Sequence, residues 1–205
     1  MPRFSSKHQR PGGDTASHTM LQHRIGAGAI VEHQGRVLLV NYQPPGGTDF
    51  WVAPGGGVNA DETLEAAAAR EVWEETGLRV RIGPLLCIED LFDDRLRIVK
   101  FWFHAQPLDA EAALAGGALS VAHPEAQAER IVQAAWLSAE ERTGRTVFPP
   151  PLAHADWRAA LAGAGAPSSE PPGVAQASGA PPRVGDAPDQ PPRAVPRLPL
   201  RRMNG

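Results

Sequence analysis

The chain has 205 residues, of which 42% are hydrophobic and 21% are charged, and its formal net charge is −3 at pH 7. This length suits one domain with flanking tails, and the mild acidity gives no strong signal for a nucleic-acid partner. The single cysteine excludes a disulfide within the chain, which suits a reducing cytoplasm, and no apolar run approaches the ~20 residues of a membrane span. We therefore expect a cytoplasmic globular protein without a membrane segment.

Composition divides the chain into a central region and two flanks. Residues 1–20 are polar and contain two prolines and two glycines. Residues 164–205 are rich in Pro, Gly and Arg, have no helical or strand period, and contain few large apolar residues. The sequence thus predicts a disordered N-terminal arm over residues 1–20, a folded domain over residues 21–163, and a disordered tail over residues 164–205.

Apolar runs and alternating patterns predict β-strands through most of the central region. The predicted strands cover residues 25–32, 36–42, 50–53, 79–92, 95–104 and 131–137. Within the fourth strand, Gly83-Pro84 indicates a bend or a bulge. Asp93-Asp94 is typical of a turn, so the fourth and fifth strands are predicted to form a hairpin.

One helix is predicted between the third and fourth strands. Residues 64–70 are strong helix formers, and Gly77 stands where a left-handed residue ends many helices. Asp61 or Asn59 is predicted to cap the start of this helix through a side-chain oxygen.

Two further segments follow the hairpin. Residues 107–129 are predicted to form a long loop rich in Ala and Gly, and loops of that length are often functional or mobile. Pro149 or Pro150 is predicted to start a final helix that continues through Trp157 to Leu161. Strands before and after one helix, with a second helix at the end, predict an α/β (α+β) fold with a mixed β-sheet.

Charged residues are regularly spaced around the first predicted helix. Four glutamates and an arginine stand between two glycines, in the order Gly56, Glu62, Arg70, Glu71, Val72, Glu74, Glu75, Gly77 and Leu78. Glu71, Glu74 and Glu75 are at positions i, i+3 and i+4, so their side chains converge on one face of the helix. Repulsion destabilises a helix by roughly 0.2–0.5 kcal/mol per like-charged pair, and a bound divalent cation offsets it. A solvated acidic face is an equal alternative for these three residues alone, whereas the complete pattern favours a Mg²⁺ site.

The turn ahead of the helix and one tryptophan are candidates for substrate contact. Pro54-Gly55-Gly56-Gly57 is a tight turn whose backbone can approach a phosphate or a metal closely, which makes Gly55 and Gly57 candidate substrate-binding residues. Trp51 has a ring that can stack on a nucleotide base, although such a residue more often lies in the core.

The spacing from Gly56 to Leu78 resembles the signature box of the Nudix hydrolases, G-x5-E-x7-R-E-U-x-E-E-x-G-U with U aliphatic, at every specified position. Enzymes of that family cleave a diphosphate linkage in nucleoside diphosphates joined to another group. The resemblance implies an α/β/α sandwich with a mixed sheet, a small-molecule nucleotide as substrate, and Mg²⁺ as cofactor with Mn²⁺ as a substitute. Many relatives are dimers, so a homodimer is a further expectation.

The resemblance also implies roles for individual residues. The carboxylates of Glu71, Glu74 and Glu75 and the carbonyl of Gly56 are expected to bind the metal ion. For Glu71 the alternative role is to position or deprotonate the attacking water. Arg70 is expected to orient a glutamate through a salt bridge within the box.

Family members often recruit one more catalytic glutamate from a loop after the hairpin. Glu129, just before the last predicted strand, is the first candidate, and Glu125 is the second. For each of them a plain loop position is the alternative.

Two functions from different classes are open. The first is a Mg²⁺-dependent hydrolase that cleaves the diphosphate linkage of a nucleoside diphosphate derivative. The second is a catalytically silent Nudix-fold module that binds a nucleotide or regulates a partner. A silent module has no need of the complete set of glutamates, so the sequence favours the hydrolase. The sequence does not identify the nucleotide derivative.

Overall fold

The structure is a computed structural model, and it describes residues 22–93, 95–109, 119–164, 198 and 201–202. The predicted N-terminal arm and most of the predicted tail lie outside these residues, so the division into arm, domain and tail stays a prediction. In the described ranges, no helix is both long and apolar enough to cross a membrane.

In the described ranges, four strands precede the first helix, and the later strands are interspersed with helices. In order they are β1 (Gln22–His33), β2 (Arg36–Tyr42), β3 (Phe50–Val52), β4 (Gly55–Gly57), α1 (Leu64–Thr76), β5 (Val80–Phe92), β6 (Leu96–Pro107), α2 (Pro124–Ala128), β7 (Ile131–Leu137), α3 (Ala139–Arg142), β8 (Val147–Phe148), a 3₁₀ helix (Pro150–Ala153), α4 (Trp157–Ala164) and β9 (Arg201–Arg202).

The strands form a mixed sheet in the order β8-β3-β2-β1-β6-β5-β9, with β4 paired to β1 and β7 paired to β2. β1 and β6 run parallel, whereas β5 and β6 form the predicted antiparallel hairpin. β1 pairs with β2 only next to their connecting turn, so the sheet curls at this point. The register of β5 against β6 shifts between Ile82 and Cys87, around Gly83-Pro84, which confirms the predicted bulge.

Core side chains lie on both faces of the sheet, because successive residues of a strand point to opposite faces. On one face, Leu39 belongs to a cluster with Leu152 of the 3₁₀ helix and Trp157 of α4. On the other face, Leu38 belongs to a cluster with Val72 of α1. Helices therefore cover both faces of the sheet, as in the predicted α/β/α sandwich.

Helix α1 starts at a different cap from those predicted. Thr63 is the N-cap, and its Oγ1 accepts a hydrogen bond from a backbone N–H of the first turn over 3.1 Å. Asn59 and Asp61 stand too far ahead of the first turn to cap it, so their predicted role is wrong. At the other end, Gly77 has a φ of 71°, which confirms the predicted left-handed C-cap.

The predicted loop over residues 107–129 is wrong in part, because it contains the helix α2. His123 caps this helix and Pro124 occupies its first turn, where a missing N–H costs no hydrogen bond. These two residues are a helix-start signal that the Ala-rich composition obscured. Residues 110–118 of the predicted loop lie outside the described ranges.

The predicted final helix is also wrong in part, because it consists of two separate elements. His154, with φ −85° and ψ 149°, is extended and ends the 3₁₀ helix. Asp156 then supports the start of α4, since its Oδ1 accepts a hydrogen bond from the N–H of Ala159. Only the second element contains Trp157 and Leu161.

A short part of the predicted tail contacts the domain. Leu198 is 7% exposed and packs in the core cluster that contains Trp102 and Trp157. Its backbone N–H donates to the carbonyl of Ile88 over 2.9 Å, and β9 pairs in parallel with the end of β5. The few described residues of the tail thus supply a core residue and an added strand beside β5.

Replacing Leu198 with alanine should destabilise the domain. If the tail were disordered at this position, the same change would leave the stability of the domain unchanged. We expect a loss of about 2 kcal/mol, the low end for a buried leucine, because a short segment can detach rather than leave a rigid cavity. For a domain of this size the melting temperature falls by about 2–4 °C per kcal/mol. Leu108→Ala is the control, since Leu108 is 63% exposed. Equal melting temperatures for the two variants in differential scanning calorimetry would contradict the docking of Leu198.

Candidate active site

The turn that leads into α1 is fixed by hydrogen bonds from two other elements. The N–H of Gly55 donates to Oε2 of Glu75, in the last turn of α1, over 3.1 Å. The carbonyl of Gly55 accepts a hydrogen bond from Nζ of Lys100, in β6, over 2.5 Å. The peptide groups around Gly55 are therefore held between the helix and the sheet.

Close packing explains two glycines of this turn. A Cβ atom on Gly55 would lie 2.4 Å from the Cα of Gly28, in β1. A Cβ atom on Gly56 would lie 2.5 Å from a carboxylate oxygen of Glu71. The absence of a side chain at Gly56 therefore lets the carboxylate of Glu71 lie directly against the backbone of the turn.

Arg70 connects three glutamates of the cluster. Its Nε and Nη2 donate to Glu62 over 3.0 and 2.7 Å. Its Nη1 donates to Glu71 over 2.9 Å and to Glu74 over 2.8 Å. Nη2 also donates to the carbonyl of Gly57 over 2.8 Å. The guanidinium thus makes the expected salt bridges within the box and holds two carboxylates together against their repulsion.

Burial makes two glutamates of α1 difficult to ionise. Glu71 and Glu75 are only 6% and 4% exposed. Burial raises the pKa of Glu71 to about 7, although the nearby Arg70 opposes this rise. Burial also raises the pKa of Glu75, and here Lys100 opposes the rise. A divalent cation favours ionised carboxylates, so a cation bound beside this pair would stabilise its charged form at neutral pH.

An open pocket of about 900 Å³ lies at this cluster. Its wall combines charged residues of the box, acidic residues from the α2 region and basic residues from the start of β1, namely Glu62, Arg70, Glu71, Glu74, Glu125, Glu129, His23 and Arg24. Three segments that are distant in the sequence therefore meet in one pocket.

The structure brings both candidate loop glutamates to the pocket. Glu129 follows α2 as its C-cap, whereas Glu125 lies in the first turn of α2. The carboxyl group of Glu129 also lies beside that of Glu75, close enough for a hydrogen bond when one of the two is protonated. This contact with the buried cluster favours Glu129 over Glu125, in the order that the sequence predicted.

The three predicted substrate-binding residues, Gly55, Gly57 and Trp51, lie in different surroundings. Gly57 lines the pocket. Trp51 is 6% exposed, packs in the core and has Arg145 at 5.5 Å from its ring, so its burial contradicts the predicted stacking on a base. Gly55 uses both its N–H and its carbonyl for the hydrogen bonds to Glu75 and Lys100, so it has little capacity left for a substrate.

Lys100 is a residue of this site that sequence reasoning did not single out. Lys100 is two residues from Ile98 and two from Trp102 in β6, so the three side chains lie on the same face of the strand. A lysine between apolar residues on one strand face was the available signal. Its contact with Gly55 depends on the pairing of β6 with β1, which the sequence pattern does not show.

The oxygen donors of the cluster fit a hard divalent cation, although they are not arranged around one. Among the described residues, no group of three His, Cys, Asp or Glu side chains is placed to hold a metal ion. Arg70 provides a reason, because it occupies oxygens of Glu71 and Glu74. Carboxylate and carbonyl oxygens are nevertheless the ligands that Mg²⁺ prefers, and the backbone at Gly56 lies directly against Glu71.

Curated relatives match the chain over a limited region. A MutT-like protein of Streptomyces ambofaciens is 46% identical over 59 residues, which are 29% of this chain and 36% of that protein. The phosphatase NudJ of Escherichia coli K12 is 41% identical over 59 residues, which are 29% of this chain and 38% of that protein. The matched region thus spans less than two fifths of the length of either relative.

Solved structures and a family model match a larger part of the chain. A MutT NUDIX hydrolase from Burkholderia pseudomallei has a TM-score of 0.51 and 27% identity, over 64% of this chain and 95% of that one. The ORF135 protein of E. coli has a TM-score of 0.51 and 22% identity, over 72% of this chain and 96% of that one. These similarities confirm the predicted mixed-sheet fold. The family model described as NUDIX domain matches residues 22–158, which is more than half of the chain, and the chain therefore belongs to the Nudix family.

Proposed function

We propose that this protein is a divalent-metal-dependent hydrolase that cleaves the diphosphate linkage of a nucleoside diphosphate derivative. The observation that carries the proposal is that Glu71, Glu74 and Glu129 line one pocket, with the buried Glu75 directly beside Glu129 and Glu71 buried as well. Buried acidic groups without a cation are costly, so their convergence supports a metal site rather than a solvated helix face. Membership of the Nudix family supports the same activity.

Glu71, Glu74, Glu75 and the carbonyl of Gly56 would hold the metal ion, with Mg²⁺ as the expected ion and Mn²⁺ as a substitute. The bound ion would neutralise phosphate charge and lower the pKa of a water molecule. These ligand assignments rest on the box pattern together with the close approach of Gly56 to Glu71.

The residues of the chain supply positioning and proton transfer. Arg70 holds the carboxylates of Glu71 and Glu74 in place through its salt bridges. Glu71 or Glu129 accepts the proton of the attacking water.

The basic part of the pocket wall supports a phosphate-containing substrate. His23 and Arg24 lie at the start of β1 and line the same pocket as the glutamates. A positive charge on Arg24 attracts the phosphate groups of a nucleotide, whereas the glutamates alone would repel them. Gly57 remains a candidate for a backbone contact to the substrate. The homodimer and the cytoplasmic location stay predictions.

The test is hydrolysis of a panel of nucleotides with Mg²⁺, with Mn²⁺ and with EDTA. The panel contains nucleoside di- and triphosphates, dinucleoside polyphosphates, nucleotide sugars, ADP-ribose and NADH, and phosphate, pyrophosphate and nucleoside monophosphate are measured as products. We expect metal-dependent release of products from at least one compound and no release with EDTA. Binding of panel compounds without turnover by the folded protein would refute the hydrolase and indicate the silent nucleotide-binding module.

A further inference from the structure

We propose that Ile25 is a specificity-determining residue, which packs against an apolar face of the organic group that the substrate carries beside its diphosphate. This inference rests on the proposed function and deepens it, because it assigns one wall of the same pocket to the part of the substrate that is not phosphate. Ile25 lies in β1, outside the signature box, and is 56% exposed. It is one of the residues that line the pocket.

The side chain of Ile25 points to the face of the sheet on which α1 packs. Ile25 precedes Ala27 by two residues in β1, so the two side chains lie on the same face of the strand. Ala27 is buried in a cluster with Ala67 and Ala68 of α1. The side chain of Ile25 therefore leaves the sheet on the side of the helix that carries the glutamates.

Ile25 extends an apolar surface from the core to the wall of the pocket. Val58 and Leu64 pack against the buried cluster that contains Ala27, and both line the pocket together with Ile25. The N–H of Val58 donates to the carbonyl of Ile25 over 3.1 Å, so the backbones of these two residues are joined at the pocket. A single exposed apolar residue would need no explanation, whereas these three residues share one pocket. We call Ile25, Val58 and Leu64 the apolar wall.

The pocket therefore has walls of two kinds. Glu71 and Glu74 lie on its acidic wall, where the metal ion would bind the diphosphate, and Arg24 adds a positive charge. Small-molecule sites combine apolar walls with a few placed polar groups, and about 900 Å³ is a large volume for such a site. The pocket thus has room for more than a diphosphate, and its apolar wall is available to the rest of the substrate.

An organic group with an apolar face fits the apolar wall. Contact with this wall removes apolar surface of both partners from water, which is favourable in proportion to the area covered. Hydroxyl groups of a sugar at the same place would lose water without gaining a hydrogen bond from the side chains of Ile25, Val58 or Leu64. The apolar wall therefore favours a substrate that places an apolar group there over one that places a sugar there.

The experiment is steady-state hydrolysis of the best substrate in the panel by full-length protein, with inorganic pyrophosphate as a competing ligand that carries no organic group. Ile25→Ala removes most of the apolar contact, whereas Ile25→Thr keeps a β-branched side chain that suits a strand and makes it polar. Val132→Ala is the control, because Val132 is an exposed residue of β7 and lies outside the wall of this pocket. Circular dichroism and thermal unfolding establish that each variant is folded.

We expect Ile25→Ala to raise KM by about fivefold or more, while kcat and the inhibition constant of pyrophosphate stay at their wild-type values. One methylene in a hydrophobic pocket changes discrimination by about 10- to 200-fold, and a partly exposed residue contributes less. Ile25→Thr should also raise KM, whereas Val132→Ala should match the wild type. If Ile25→Ala does not fold, a raised KM for Ile25→Thr still supports the proposal.

Two results would overturn this role of Ile25 and leave the hydrolase in place. The first is an unchanged KM in the folded Ile25 variants. The second is an equal weakening of substrate binding and of inhibition by pyrophosphate, which would show that Ile25 shapes the phosphate site instead. A wild-type protein that hydrolyses no compound of the panel would overturn the proposed function, and this inference with it.

Discussion

The substitution Glu75→Gln should reduce turnover by orders of magnitude while the domain stays folded. Glu75 is 4% exposed, accepts a hydrogen bond from Gly55 and interacts with Glu129, so it lies at the centre of the cluster. Removing its charge takes away stabilisation of the bound metal ion and hence of the transition state. Glutamine retains an acceptor oxygen for the N–H of Gly55. Burial disfavours the charged carboxylate, so loss of that charge should not lower stability in the absence of metal.

The measurement is steady-state hydrolysis of the best substrate in the panel at saturating Mg²⁺, with thermal unfolding recorded in parallel. Glu65→Gln is the matched control, because Glu65 is in the first turn of the same helix and is exposed. We expect the control to retain the wild-type rate. A near-wild-type rate for Glu75→Gln would show that the proposed site is misplaced, since no other assigned carboxylate is as deeply buried.

The substitution Gly28→Ala should lower the stability of the domain strongly. A Cβ atom there would lie 2.5 Å from the ring of Trp102 and 2.6 Å from the carbonyl oxygen of Pro54. Trp102 is 1% exposed, and the Pro54 carbonyl already accepts a hydrogen bond from Ala29, so neither group is free to move. Overpacking of this kind destabilises a domain by about 1–3 kcal/mol, and occasionally more.

Calorimetry of the metal-free protein measures this effect without any assumption about the substrate. The control is Gly163→Ala in α4, where a Cβ atom would meet nothing within 4 Å. Alanine favours a helix over glycine, so this control should be neutral or slightly stabilising. If Gly28→Ala melted at the same temperature as the control, the close approach of β1, β6 and the Pro54 turn would be incorrect.

Local features of the site were predictable because they depend on spacing along one helix. Glu71, Glu74 and Glu75 converge through the 3.6-residue period alone, and the left-handed Gly77 follows from its place after the last helical turn. The prediction of the N-cap of α1 was wrong for a physical reason. Several residues ahead of α1 can act as caps by composition, and the choice of Thr63 depends on the path of the chain into the helix.

Trp51 and Glu129 show why contacts between distant segments were harder to predict. Trp51 lies within a strand and Glu129 stands just before one, and composition allows either residue to be in the core or at the pocket. The pairing of β3 with β2 and β8 places Trp51 in the core. The packing of α2 near α1 brings Glu129 to Glu75.

The sequence by itself determined the family pattern, the helix that carries the glutamates, most of the strands and the acidic character of the site. These features follow from periodicity and from residues that are close along the chain. The tertiary structure decided which groups surround the glutamates. The parallel register of β1 and β6 places Lys100 over Gly26 and beside Gly55, and Leu198 joins the core from far along the chain. Such contacts depend on strand order, register and burial, which no short stretch of sequence encodes.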